Sequence, residues 1–109
     1  MMNRGRAAMR YLGALRGAGT LRCGGEAVAP AEYDLDGYAV PPRGVAASGE
    51  LRLAPEVLRR VFGRRDLQIV TEDGRSFGFR FSEKKLTAGD AAAHVDLTDG
   101  LPDAQEWRG

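Results

Sequence analysis

Cysteine, histidine, aromatic residues and an excess of either charge are all scarce in this chain of 109 residues. Cys23 is the single cysteine, which excludes an internal disulfide and a cysteine-based zinc site. It fits a reducing, cytoplasmic setting. His94 is the single histidine. No apolar run approaches the roughly 20 residues that a membrane helix requires, and no membrane partner is expected. The N-terminal apolar runs are broken by Arg10 and Arg16, unlike the continuous core of a signal peptide. Sixteen basic residues against fifteen acidic ones leave a net charge of +1, so no whole-molecule field points to nucleic acid.

Motifs of known mechanism are missing too. The chain has no phosphate-binding loop of Walker type, no dinucleotide fingerprint, no H-E-x-x-H and no G-x-S-x-G elbow. No catalytic residue, cofactor or metal is expected. Cys23 reads as a small core or hairpin residue and His94 as a surface residue on a strand.

The strongest pattern that is present runs from Leu67 to Ser82. Leu67, Ile69 and Thr71 alternate with polar or small neighbours, and Phe77, Phe79 and Phe81 do the same. Period two with β-branched and aromatic residues marks strands, and Asp73-Gly74 between them marks a turn. A two-residue loop would put the two apolar rows on opposite faces. A three-residue loop, Glu72-Asp73-Gly74, sets Phe77 opposite Ile69 and Phe79 opposite Leu67, with Gly74 in the left-handed region. The buried face selects the second register.

Around this hairpin the chain reads as short strands. Thr20–Cys23 and Glu26–Ala29 flank a Gly24-Gly25 turn, and Pro30 suggests an edge or a bend. Tyr33, Leu35 and Gly37 alternate with Glu32, Asp34 and Asp36, giving a strand with an acidic face that Pro41-Pro42 ends. Three carboxylates spaced by two point the same way. They suit either a cation site or an exposed face paired with arginines, and the lack of a glycine-punctuated calcium loop favours the second. Residues 45–53 and 91–98 supply further strands. Pro55, Glu56 and the stripe Val57, Leu58, Val61, Phe62 predict one short helix near residues 55–62, with Gly63 as its stop. The expected fold is all-β and mostly antiparallel, a small barrel or sandwich of six to seven strands in meander-like order. Its domain spans 9–100, between a flexible basic tail at 1–8 and a flexible C-terminal tail at 101–109 that contains Trp107.

Two functional expectations follow. The first is a non-catalytic interaction module that binds a protein partner or forms a homo-oligomer through the Gly- and Ala-rich outer strands. The second is a nucleic-acid or nucleotide binder. Its candidate residues are Arg6 and Arg10 in the basic arm and Arg59, Arg60, Arg64 and Arg65 around the helix. Stability alone accounts for cations at a helix C-terminus, and the second reading requires the arm and the helix end to share one side of the molecule. Arg6-x-x-x-Arg10 ahead of a small barrel resembles the arginine motif of PilZ domains, which bind cyclic di-GMP. The second motif of that family, Asp/Asn-x-Ser-x-x-Gly, has no counterpart. Asp73-Gly-Arg-Ser76-Phe-Gly78 carries its serine and glycine at other spacings, so the chain is not assigned to the family.

Overall fold

In a computed structural model the chain closes six antiparallel strands into a barrel, with one short helix. The structure describes residues 9–42, 44–87, 89–103 and 107; Arg6 and the rest of the basic tail lie outside them. The elements are β1 (Arg10–Cys23), β2 (Glu26–Val40), β3 (Gly44–Arg52), α1 (Pro55–Val61), β4 (Leu67–Thr71), β5 (Ser76–Phe81) and β6 (Ala92–Asp99).

The β4–β5 hairpin has the register that its apolar rows demand, with Leu67 opposite Phe79 and Ile69 opposite Phe77. The Gly74 amide donates to the Thr71 carbonyl at 3.0 Å, and Gly74 takes φ +91°. This is a turn followed by one left-handed residue, a conformation that glycine adopts without a Cβ penalty. The β1–β2 hairpin turns through Gly24 and Gly25, both at positive φ. Pro30 does not interrupt β2, which runs unbroken through it and pairs it with Thr20. A proline lacks only its N–H, and β3 begins to pair with β2 at Glu32, beyond that position.

The strand order around the ring is β1-β2-β3-β6-β5-β4. It departs from a single meander. Two three-stranded meanders, β1–β3 and β4–β6, are joined along two seams, β1 to β4 and β3 to β6. The physical reason is α1. It carries the chain from the end of β3 across one end of the barrel, so β4 enters beside β1 instead of beside β3. Leu58 and Val61 of α1 plug that end and join Leu21, Leu35, Leu51, Ile69, Phe77 and Val95 in one buried cluster. Each such side chain contributes roughly 1.5–3 kcal/mol when fully buried.

The wall of the barrel is tight. A Cβ on Gly19 would overlap the Val70 carbonyl across the first seam, and one on Gly49 would overlap the backbone of Asp34 on β2. Glycine at these points lets neighbouring backbones approach as the sheet curls.

The opposite end of the barrel is splayed. Only Gly19–Cys23 of β1 pair with β4, and only Ser48–Arg52 of β3 pair with β6. Beyond these residues β1, β2 and β3 continue as a three-stranded sheet that projects past the ring, and the molecule measures 51 × 30 × 22 Å. Within the stretch read as a C-terminal tail, Pro102 and Trp107 are buried. Trp107 is 6% exposed, its indole lies directly over Gly37, and its Nε1 donates to the Pro102 carbonyl at 3.3 Å.

Candidate functional site

The projecting sheet carries the most distinctive surface of the molecule. The first nine residues of β1, Arg10–Ala18, pair with β2 on one side, and no described strand pairs with them on the other. Their outward N–H and C=O groups are therefore available to a further strand, since an edge is a template for pairing. A β-bulge between Tyr11 and Gly13 bends the strand, so the straight part of the edge is Gly13–Ala18. Gly13, Ala14, Gly17 and Ala18 along that part are small, with Gly13 buried, Ala14 and Ala18 half-buried and the Tyr33 hydroxyl lying against Gly17.

The only exposed large hydrophobic residues among those described, Met9 at 61% and Tyr11 at 52%, lie at the start of this edge. Tyr11 packs edge-on against Tyr38 with ring centroids 5.5 Å apart. Its hydroxyl donates to Asp36 at 3.0 Å, and this bond to a carboxylate holds the phenol above its ordinary pKa. Arg16 bonds Asp34 at 2.8 Å, which raises the already high pKa of the guanidinium. In the acid row Glu32 and Asp34 are exposed and Asp36 is half-buried, and Arg16 and Tyr11 of the neighbouring strand meet Asp34 and Asp36. Among the described residues no cluster of acids, histidines or cysteines is arranged to hold a metal.

The arginines singled out from the sequence fall at two ends of the molecule. Arg10 begins β1, whereas Arg59, Arg60, Arg64 and Arg65 lie on or just after α1. The helix end adjoins the other end of β1, where Cys23, Arg60 and Arg64 line one hollow. Thirteen steps along the strand separate Arg10 from Cys23, roughly 40 Å at 3.3 Å per residue. Arg10 and the helix end therefore do not form one basic surface. Arg64 is engaged by Asp66, with Nε to Oδ1 at 2.8 Å, and this bond lowers the pKa of the Asp66 carboxyl. Arg59, Arg60 and Arg65 are exposed.

Three features were not legible in the sequence. Arg80, on the outer face of β5, lines one cleft together with Arg64 and Arg65. Ser82 Oγ lies 2.7 Å from His94 Nδ1, and Glu83 accepts the His94 backbone N–H at 2.6 Å. Among the described residues no carboxylate is bonded to the other ring nitrogen, so the pair lacks the third member that orients a catalytic histidine. The third feature is the free edge of β1, which depends on the shortness of β4. Alternation alone could have located Arg80 and His94 on outer faces, but their neighbours depend on strand order. Compared with models of protein families, with curated proteins and with solved structures, the chain matches none.

Proposed function

We propose that this protein is a non-catalytic interaction module that self-associates by pairing the β1 edge of one copy with that of another. The observation that carries the reading is the unpaired stretch Arg10–Ala18 in an otherwise closed barrel. Ring closure removes edges, so main-chain pairing can extend only along strand segments left outside the ring, and among the described residues Arg10–Ala18 of β1 is a longer such segment than Gly44–Ala47 of β3. Met9 and Tyr11 beside it supply apolar surface to bury. A second copy fits because an isologous contact uses the same patch twice. Arg16 is already neutralised by Asp34, and the net charge of +1 gives little long-range repulsion. Two sheets joined in this way form one continuous sheet running through both molecules.

Analytical ultracentrifugation across a wide concentration range tests the reading. The expected result is a concentration-dependent monomer–dimer equilibrium that shifts to monomer in the double variant Tyr11→Lys/Ala14→Lys, because edge lysines oppose strand pairing. Both positions lie outside the buried cluster, so far-ultraviolet circular dichroism should stay unchanged. A wild-type protein that remains monomeric at the highest concentration would overturn it. The nucleic-acid reading gains no support from the separation of Arg10 from the helix arginines.

A further inference from the structure

We infer that the cleft beside the turn after α1 binds a small phosphorylated ligand, with Arg65 and Arg80 as its phosphate-holding residues. The cleft lies at the helix end of the barrel, away from the β1 edge, and the inference is independent of self-association. It measures about 630 Å³ and is lined by Arg65 on the turn, Arg80 and Phe81 on β5, Ser82 just after it, and Asp96 and Thr98 on β6. That volume falls within the range of roughly 300–1,000 Å³ usual for small-molecule sites.

The argument rests on which charges are used and which are left over. Arg64 is consumed by Asp66, and that ion pair together with the Arg64 amide bond to the Val61 carbonyl at 3.0 Å fixes the turn. The guanidinium of Arg65, the next residue, has no ion pair or hydrogen bond among the described residues, and neither does that of Arg80. Arg80 sits in register with Asp96 across the β5–β6 pair, where a cross-strand salt bridge would be expected. The two do not form one. Two uncommitted guanidinium groups, one from a pinned turn and one from a barrel strand, thus border the same hollow. Planar guanidinium forks match phosphate oxygens with two parallel hydrogen bonds, and paired forks favour a doubly charged group.

The rest of the lining narrows the class. Asp96 is an acceptor that repels a bare anion, so it suits a ligand whose body carries hydroxyl or amino donors. Ser82, held by His94, and Thr98 add hydroxyls at the same wall. A phosphate ester with a polar body meets both requirements, and a nucleoside monophosphate has this chemistry.

Isothermal titration at low ionic strength, with AMP and with inorganic pyrophosphate as probes, decides the matter. Saturable binding of AMP is expected, weakened at least about tenfold by Arg65→Gln and by Arg80→Gln, since each removes charge-assisted hydrogen bonds to the phosphate. Asp96→Asn should strengthen pyrophosphate more than AMP, because it removes a like charge and leaves only a neutral, weaker acceptor. Arg59→Gln, exposed on α1 and outside the cleft, serves as the control and should leave binding unchanged. All four side chains are solvent-facing or half-buried, so thermal melting should confirm that each variant folds. Absence of saturable AMP binding by the wild type would overturn the inference. So would indifference to Arg65→Gln and Arg80→Gln, or an equal loss in Arg59→Gln, which would mark diffuse charge attraction.

Discussion

At the scale of single residues, the alternating phenylalanines and the lone tryptophan behave differently as signals. Phe77 and Phe79 are buried at the centre of the barrel, as their alternation with Gly78 and Arg80 implied. Phe77→Ala removes a ring with almost no exposed surface and should cost about 3–5 kcal/mol of stability, read by chemical denaturation. Trp107 carried no such signal. Nothing periodic surrounds it, and the surface it covers is Gly37, a residue with no side chain to betray an apolar contact. A Cβ at position 37 would overlap the indole, so Gly37→Ala should displace it. Trp107 is the sole tryptophan, and its fluorescence therefore reports this one event. The emission should shift to the red while the far-ultraviolet spectrum remains that of a β protein; unchanged emission would mean that the ring has another resting place.

At the scale of elements, local chemistry decided most outcomes. The three-residue loop of the β4–β5 hairpin was legible because only one register buries both apolar rows. The helix was legible because its proline, first-turn acid and stop glycine agree with its apolar stripe. β2 was harder to read. Pro30 looks like an interruption when the strand is considered alone, and becomes harmless only because its missing donor sits where β3 has not yet begun to pair. The hairpin turn offers a direct check. Gly74→Ala forces an alanine into φ +91°, a left-handed conformation that costs about 1–2 kcal/mol for a residue with a Cβ. Thermal or urea unfolding should register that loss, and a neutral result would show that the turn relaxes to another geometry.

At the scale of the whole molecule, little could be read in advance. Strand order follows from where α1 delivers the chain, and no residue type records that route. The arginines show the consequence. Arg10 and Arg65 look alike in sequence but lie at opposite ends of a long object, while Arg65 and Arg80, fifteen positions apart, border one cleft. Both seams of the barrel join residues at least 40 positions apart in the chain. Such non-local pairing slows folding, because loop-closure entropy must be met before the contacts form. Stopped-flow refolding should give rates in the millisecond-to-second range typical of β barrels, and a microsecond phase carrying the full amplitude would contradict the two-seam closure.

The two ends of the barrel are stopped by unlike means. One is closed by a helix whose Leu58 and Val61 are part of the central cluster, so it cannot open without losing the core. At the other, the Trp107 indole rests on a glycine, and the strands beneath it are already outside the ring. Opening there breaks no seam. Backbone amides should therefore have two lifetimes against deuterium exchange. Those of β4, β5 and the paired parts of β1 and β3 would be released only by global unfolding, while those of Arg10–Ala18 would turn over by local opening. Equal protection of both groups of amides would mean that the projecting sheet and the barrel open as one unit.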